Sequence, residues 1–258
     1  MKFVLREPTK IDIFTNIFRG LYNVNQDVNF HFNKNNLYIQ TMDTAQICLF
    51  ELQLEDTWFD EYNVDDADDT IIGVNTMILH KILKCKEDNQ TITVTYSGTP
   101  DSLKIHFEGG QFEKIFNIPL MELNIDVLQV PNQSIWQADF ELNSDIFQHL
   151  TSEFMLFGED VKFHCSEELL SMTAEGDIGK YAVNINVDDL NEFSIDEDTT
   201  LNTKYSLKYF NIATGFVKIS KQVSIYVSEE LPLKINYSLG KDNENYVRFF
   251  LAPKVQDE

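Results

Sequence analysis

The stretch Asp12-Ile13-Phe14 recurs 133 positions later as Asp145-Ile146-Phe147. Each copy follows shortly after a Thr or Ser and lies inside an apolar pattern with the spacing of a helix. One three-residue match carries little weight alone, so its meaning depends on whether other segments repeat at the same distance.

Two further pairs of segments repeat at nearly that distance. Ile92-Thr93-Val94-Thr95-Tyr96 returns in character 131 positions later as Val223-Ser224-Ile225-Tyr226-Val227. Ser102-Leu103-Lys104-Ile105 returns 130 positions later as Pro232-Leu233-Lys234-Ile235. The separation is about half of the 258 residues. Three matches in one register predict two tandem copies of one domain rather than one large domain.

The composition limits the possible functions. The chain is 43% hydrophobic and has 20 Phe, so each half can bury its own core. Its formal net charge of −22 argues against nonspecific binding of nucleic acid or acidic membranes by the outer surface, although a local basic patch remains possible. No apolar run reaches the ~18 residues of a membrane helix, and the charged stretch after Met1 does not resemble a signal peptide.

The cysteines carry information about the compartment. Cys48, Cys85 and Cys165 are scattered without paired spacing. An odd, sparse set predicts buried thiols in a reducing, intracellular compartment rather than a disulfide framework.

Apolar periodicity predicts two helices in each repeat. The first helix of repeat one is expected to start with Thr9 as N-cap, and its counterpart in repeat two at Ser144. The second helices are expected over Asn75–Cys85 and roughly over 205–215. The predicted buried positions are Ile11, Phe14, Ile17, Phe18 and Leu21 in the first helix, and Ile146, Phe147, Leu150 and Phe154 in its counterpart.

The remaining segments predict antiparallel strands and a connector. Leu37–Gln40 and Val183–Val187 alternate apolar and polar residues, as strands with one buried face do. Residues 118–135 match neither repeat and contain Pro119 and Pro131. We therefore expect an α+β fold of two tandem, topologically similar domains, residues 1–117 and 136–258, joined by a connector over 118–135.

Four blocks match one known family in order and spacing. They are Leu37-Tyr38-Ile39-Gln40-Thr41-Met42-Asp43, Gly73-Val74-Asn75 with Lys81-Ile82-Leu83-Lys84-Cys85, Leu120-Met121-Glu122-Leu123 through Val130-Pro131, and Leu251-Ala252-Pro253-Lys254-Val255. In these blocks the chain resembles the DNA sliding clamps of the proliferating cell nuclear antigen family.

The resemblance implies a DNA clamp fold, with antiparallel sheets outside and helices lining a ring. Three subunits would close head to tail around double-stranded DNA, which they would contact without sequence preference. The implied role is that of a DNA polymerase processivity factor, with no catalysis, cofactor, metal or membrane. The implied partners are a clamp loader, a DNA polymerase, and other replication and repair proteins with short hydrophobic-aromatic motifs. The implied location is the nucleus, or a viral replication compartment if the source is viral.

The helices are where contacts with DNA are expected, because a clamp that slides needs weak, phosphate-directed contacts. Seven of the 20 basic residues fall in or beside the two second helices: Lys81, Lys84, Lys86, Lys204, Lys208, Lys218 and Lys221. Lys81 and Lys84 are expected opposite Ile78, Ile82 and Leu83. The alternative is that these lysines only solvate exposed helix faces.

The full DNA-facing set is predicted to be Lys10, Arg19, Lys81, Lys84, His149, Lys204, Lys208, Lys218 and Lys221. Where the family usually has arginines on the helix from Ser144, this chain has His149 and Ser152. The contact with DNA in that quadrant is therefore expected to be weaker.

A partner pocket is implied by apolar residues that, taken singly, would be read as ordinary core. By resemblance the pocket comprises Met42, Gln46, Ile47, Leu49, Leu128, Val130, Pro232, Phe250, Ala252 and Pro253. It would receive one aliphatic and two aromatic side chains on a single helical turn. Gln46 stands where the family commonly has His, and it retains a hydrogen-bond donor.

Ring closure is expected to pair two edge strands, residues 111–118 of one subunit with residues 177–185 of the next. The predicted contact residues are Phe112, Phe116 and Ile118 on the first strand, and Tyr181, Val183 and Ile185 on the second.

Catalytic interpretations are weak. His164 and Cys165 are adjacent on a predicted strand and would point to opposite faces, and His80 and Cys85 diverge on a helix. Asp65, Asp66, Asp68 and Asp69 lack the rest of a calcium-loop pattern. Two other classes remain as alternatives: an acidic DNA mimic, which gains nothing from lysines clustered on helices, and a carboxylate-based hydrolase, which needs an acid pair in a pocket.

Overall fold

The computed structural model describes residues 1–64, 70–98, 102–130, 136–240 and 243–254. Its internal contacts divide the chain into two compact units. Unit 1 contains Met1–Thr44, Phe50–Leu128 and Leu239–Val247; unit 2 contains Ala45–Leu49, Gln129–Ser238 and the residues from Arg248 on. No helix in these described ranges is long and apolar enough to cross a membrane.

The first half of the chain folds into nine strands and two helices. In order they are β1 (Lys2–Leu5), α1 (Pro8–Leu21), β2 (Asp27–Phe32), β3 (Asn36–Met42), β4 (Cys48–Glu55), β5 (Glu61–Asn63), β6 (Thr70–Asn75), α2 (Thr76–Leu83), β7 (Thr91–Thr95), β8 (Ser102–Glu108) and β9 (Lys114–Pro119). A 3₁₀ turn, Asp56–Trp58, lies between β4 and β5.

The second half repeats that order. Its elements are β10 (Ala138–Asn143), α3 (Ser144–Phe157), β11 (Asp160–Cys165), β12 (Leu169–Gly176), β13 (Gly179–Asn186), β14 (Phe193–Ile195), β15 (Leu201–Ser206), α4 (Leu207–Thr214), β16 (Gln222–Val227), β17 (Leu233–Ser238) and β18 (Tyr246–Leu251). The 3₁₀ turn recurs as Val187–Asp189. The duplication predicted from the sequence is confirmed element by element.

Strand pairing repeats with the element order. In unit 1 an antiparallel sheet runs β5-β1-β7-β8-β9, and β2 pairs with both β3 and β6. In unit 2, β10 lies between β14 and β16, β16 pairs with β17, and a four-stranded sheet runs β13-β12-β11-β15. The predicted α+β class with antiparallel sheets is confirmed.

Within each unit, hydrogen bonds join the chain at or beside β4 to the chain at or beside β18. Within unit 1 the Tyr246 hydroxyl donates to Gln53 Oε1 at 3.1 Å. Within unit 2 the backbone N–H of Ala252 donates to the carbonyl of Ile47 at 3.0 Å. The start of β18 therefore lies by the end of β4, and the end of β18 by the start of β4.

The first helices pack largely as predicted. All five predicted stripe residues of α1, from Ile11 to Leu21, are buried, and α1 packs against α2. Thr9 is not the N-cap: α1 begins at Pro8 after Glu7, because proline has no N–H to satisfy and a φ suited to the first helical position. In α3 the buried positions are Ser144, Phe147, Thr151 and Phe154.

Further predictions need correction, and the first is that Leu150 of α3 is half-buried rather than buried. Ile146 is 52% exposed, because it falls off the i, i+3, i+7 stripe that Ser144 begins. Tyr205 belongs to β15, since alternate residues of that strand are buried, so α4 starts later than predicted. Asn75 is the N-cap of α2, with its side chain accepting from the N–H of Ile78, and α2 ends at Leu83. Cys85, beyond this end, is exposed, whereas Cys48 and Cys165 are buried.

Candidate DNA-contact and partner surfaces

Three exposed cations of unit 1 lie where α1 and α2 end. Arg19 lies in the last turn of α1, and Lys81 and Lys84 lie at the end of α2, all three exposed. Lys84 and Arg19 act electrostatically on His80, whose ring stacks on Tyr22 with centroids 5.1 Å apart. Burial, then Lys84 and Arg19, lower the pKa of His80 below its ordinary value, so the imidazole is neutral beneath exposed cations.

Two details of this surface differ from the prediction. Ile78 is 40% exposed rather than opposite the lysines, because the buried face of α2 runs through Leu79 and Leu83. Lys10, on α1, is half-buried and lies 3.9 Å from Glu7, so a carboxylate offsets part of its charge.

In unit 2 three exposed cations lie on α4 or just after it. Lys208 is exposed on α4 with its ammonium 5.1 Å from the centre of the Tyr209 ring, and Lys218 and Lys221 are exposed just beyond the helix. On α3, His149 Nε2 lies 3.2 Å from Glu153, which reduces the positive potential that a protonated His149 would add.

Lys204 is not on a helix. It lies on β15, between the buried residues Thr203 and Tyr205, and Tyr205 contacts Phe210 of α4. Because successive side chains of a strand point to opposite faces, Lys204 lies on the sheet face away from α4. Its ammonium is 3.1 Å from Asp160.

Of the predicted partner-pocket residues of unit 2, Ile47 and Ala252 are joined by a backbone hydrogen bond at the start of β4. Gln46 is an exposed turn residue with φ of 57°, and Ile47 is 38% exposed. Leu49 and Phe250 are nearly buried. Val130 is half-buried, whereas Pro253 and Pro232 are exposed, with the carbonyl of Pro232 accepting from the indole of Trp136 at 2.9 Å.

In unit 1 the pocket residue Leu128 is held by a side chain that sequence reasoning did not single out. Gln40 Nε2 donates to the carbonyl of Leu128 at 2.9 Å, and the N–H of Leu128 donates to Gln40 Oε1 at 2.7 Å. The Leu128 side chain remains 50% exposed. Met42, two residues after Gln40 on β3, is half-buried. These two hydrogen bonds fix the connector backbone and leave the apolar side chain of Leu128 in solvent.

The same amide belongs to a buried network. Gln40 Nε2 also lies 3.0 Å from the Tyr38 hydroxyl and 3.2 Å from Glu51 Oε1, and Tyr38 donates to Glu51 at 2.6 Å. Burial and the Glu51 carboxylate raise the pKa of Tyr38. In the sequence Gln40 occupies a polar position of the alternating segment Leu37–Gln40, which does not distinguish it from a solvent-facing strand residue.

Gly73, from the matching block Gly73-Val74-Asn75, lies against the connector. Met121 N donates to the carbonyl of Gly73 at 2.9 Å, and the Asn29 amide donates to the carbonyl of Leu123 at 3.0 Å. A Cβ on Gly73 would lie 2.3 Å from the carbonyl oxygen of Met121. The connector can approach β6 this closely only because residue 73 has no side chain.

The two strands assigned to ring closure lie at sheet edges: β9 ends the five-stranded sheet of unit 1, and β13 ends the four-stranded sheet of unit 2. Phe112 lies before β9 and is 60% exposed, and Ile118 is 1% exposed, because Phe116 and Ile118 face their own sheet's core. Ile118 therefore cannot contribute an exposed contact. On β13, Tyr181, Val183 and Ile185 are half-buried on one face.

Further apolar side chains are exposed next to β13. Ile178 in the turn before it is 73% exposed, and Leu156 and Met155 at the end of α3 are 68% and 44% exposed. On β9, Ile115 is 53% exposed. These residues lie outside the predicted alternating segments or on their opposite face.

Among the described residues, the candidate catalytic pair His164 and Cys165 does not form a reactive site. Burial raises the pKa of the Cys165 thiol to about 12, and His164 faces Asn202 instead. The four aspartates from Asp65 to Asp69 lie outside the described residues. His106, Glu108 and Glu113 bring possible metal ligands within 4.8 Å, and each ring nitrogen of His106 is already directed at a carboxylate, Nε2 at Glu113 and Nδ1 at Glu108.

Comparison with known proteins agrees with this architecture. Family models for the N-terminal and the C-terminal domain of proliferating cell nuclear antigen match residues 7–129 and 130–254. The chain is 29% identical over 240 residues to proliferating cell nuclear antigen of Chaetomium thermophilum, covering 90% of this chain and 91% of that protein. It is 24% identical over 227 residues to proliferating cell nuclear antigen 2 of Drosophila melanogaster, covering 87% of each. Since the two domain matches follow the order of the internal repeat, the chain belongs to the proliferating cell nuclear antigen family of DNA sliding clamps.

Proposed function

We propose that this chain acts as a homotrimeric clamp that holds a DNA polymerase and other replication and repair proteins on duplex DNA, without catalysis of its own. The observation that carries the proposal is the match of both clamp domains over nearly the whole chain. The mechanism is topological: a closed ring cannot leave DNA sideways, so persistence on DNA requires no tight contact.

The charge distribution supports sliding rather than stationary binding. The chain carries −22 formal charges, so a trimer would carry 3 × (−22) = −66 and would be repelled by DNA at most of its surface. Arg19, Lys81, Lys84, Lys208 and Lys218 are exposed on or beside the helices and would offer phosphate-directed contacts. Such contacts carry no sequence information, as a sliding protein requires.

Ring closure would pair two strands that each lie at a sheet edge within their own unit. β9 ends the five-stranded sheet of unit 1, and β13 ends the four-stranded sheet of unit 2. Antiparallel pairing of β9 with β13 of the next subunit would satisfy both sheet edges. Ile178 and Leu156 would enlarge the apolar contact around Tyr181 and Val183. A head-to-tail contact of this kind gives a ring when its rotation closes.

Partner proteins would dock where the connector passes β3 and where the tail passes β4. The exposed side chains of Leu128 and Ile47 offer apolar surface, and the backbone near Ala252 offers polar contacts. A few desolvated anchors normally carry most of such an interaction. Because the two relatives named above are eukaryotic proteins, the nucleus is the proposed location, and a clamp loader would open the ring there.

A loader-free experiment tests encirclement. Linear duplex DNA with biotin at both ends is incubated with the protein, the ends are then blocked with streptavidin, and the complex is washed at high salt. A ring threaded over the ends stays bound only when both ends are blocked. Retention that is equal with open and blocked ends would contradict encirclement. Val183→Glu, a change at the proposed subunit contact, serves as the control that cannot be trapped.

A further inference from the structure

The sheet face of unit 2 that points away from its helices carries a groove of about 520 Å³. The opposite face is apolar, with Phe163 of β11 contacting Phe210 of α4. The groove is lined by alternate residues of β11, β12 and β15, including Lys162, His164, Thr173 and Lys204. We call these four residues and their surroundings the lysine groove. It belongs to neither the helix surface nor the partner pocket.

Two lysines face each other at the centre of the lysine groove. Lys162 and Lys204 are directly opposite in the register of β11 and β15. Like charges at such positions destabilise a sheet, because their side chains lie close together. Lys204 is paired with Asp160, but the other oxygen of Asp160 lies 2.5 Å from Lys254. Within the described residues Lys162 has no carboxylate within 4.0 Å, so positive charge remains uncompensated.

The groove also presents polar atoms suited to a peptide backbone. Thr173 is the register partner of Lys162 on β12, and Ser171 is that of His164. His164 is held by a contact between its Nδ1 and Asn202 Oδ1 at 2.9 Å, which leaves Nε2 facing the groove. Acidic side chains stand towards one end, where Glu175 faces Lys180 across β12 and β13. The positive centre is therefore at Lys162 and Lys204.

We infer that the lysine groove binds a short acidic peptide segment of a protein partner. A volume of about 520 Å³ exceeds what a single phosphate or carboxylate ion fills and suits several peptide residues. A long polyanion such as nucleic acid would be repelled by the surrounding surface of a chain with net charge −22, whereas a short segment meets mainly the local cations. This inference does not depend on ring closure or on DNA binding, because the lysine groove lies within one unit of one chain.

The test uses the full chain and a fluorescein-labelled peptide of alternating Glu and Ser, followed by fluorescence anisotropy. The Glu peptide should bind, more weakly as salt increases, and the same peptide with Gln in place of Glu should not. Lys162→Glu should lower the affinity roughly tenfold, since it reverses the charge at the centre. The same change places a carboxylate opposite Lys204, so the thermal midpoint should equal or exceed that of the wild type.

The matched control is Lys34→Glu, the same charge change at an exposed bend between β2 and β3 of unit 1. It should leave peptide binding unchanged. The inference is overturned if Lys162→Glu binds the Glu peptide as tightly as the wild type, if Lys34→Glu weakens binding equally, or if the Gln peptide binds as well. Tighter, Lys162-dependent binding of a single-stranded oligonucleotide would overturn it in favour of nucleic acid.

Discussion

At the scale of single residues, Gln40 acts through a segment 88 positions away. Its amide makes both hydrogen bonds that fix the backbone of Leu128 and also contacts the buried carboxylate of Glu51. Nothing in the local sequence announces this role, because it depends on where a connector passes a strand. The sequence places Gln40 in a block that matches the family. Its hydrogen bonds to the backbone of Leu128 are visible only in the structure.

Replacing Gln40 with Ala should weaken partner binding. The change removes both tethers of Leu128 and leaves Glu51 with one partner fewer, which costs about 1–3 kcal/mol. Calorimetry with a peptide carrying one aliphatic and two aromatic anchors should register roughly a tenfold loss of affinity.

Leu128→Asp should abolish binding, whereas Gln46→Ala should cost only ~1 kcal/mol. Unchanged affinity in Leu128→Asp would place the partner site elsewhere. Gln53→Ala, a hydrogen-bonded glutamine on β4, is the control.

His80 should make stability fall in mild acid. Its pKa is lowered by burial, Lys84 and Arg19, so the unfolded chain takes up the proton at a higher pH than the folded one. The stability from neutral His80 is complete above about pH 6.5 and is lost as pH falls through the folded pKa. Urea unfolding at pH 7.5 and 5.5 should show a smaller pH-dependent loss in His80→Phe, which keeps a ring against Tyr22. An equal loss in both proteins would contradict this assignment.

At the scale of elements, periodicity predicted which helices exist, and packing decided where they end. The stripe of α1 was read correctly because its apolar residues follow one helical face. Tyr205 was misassigned to a helix because β15 runs directly into α4, and its apolar side chain stands two residues before Leu207, the first residue of that helix. Lys204, which was counted among the cations in or beside that helix, lies on the same strand. Ile146 and Ile118 were misjudged because apolar character alone does not tell a core residue from a contact residue.

Charge on the inner face of β13 should separate subunits. Val183→Glu would place a carboxylate in the proposed contact between β13 and β9 of the next subunit, where no described cation is its cross-strand partner within the sheet. Sedimentation at micromolar concentration should show a monomer. The circular dichroism spectrum of the variant should match that of the wild type. Asn184→Asp adds the same charge one residue along, on the exposed outer face of β13, and should leave the assembly intact. Dissociation in both variants would argue against this strand pairing.

At the scale of the whole molecule, the duplicated fold carries exposed cations on and beside its helices although the chain has a formal net charge of −22. In the proposed clamp those cations would contact DNA, and the net negative charge would keep nonspecific binding weak. The duplication was predicted from three pairs of short segments that repeat at nearly the same distance. The sequence did not predict the hydrogen bonds between Gln40 and Leu128, the exposed apolar residues near Ile178 or the lysine groove. Each of these is formed by segments that are distant in sequence. Sequence pattern therefore predicted the architecture better than the surfaces.

Removing a lysine beside the helices should weaken DNA binding without changing its sequence preference. Lys84→Ala or Lys208→Ala should each reduce the slope of log affinity against log salt by somewhat under one unit, as expected for one phosphate contact. Anisotropy with two duplexes of unrelated sequence measures both properties. Lys34→Ala is the matched control on an exposed bend, and an equal effect there would mean that general charge alone is responsible.

The most direct test of the clamp account is the mass of the assembled protein in solution. Light scattering coupled to size exclusion should give three copies of the 30.0 kDa chain, alone or on duplex DNA. A mass of 30.0 kDa at micromolar concentration, unchanged when duplex DNA is added, would contradict a closed ring formed by these subunits.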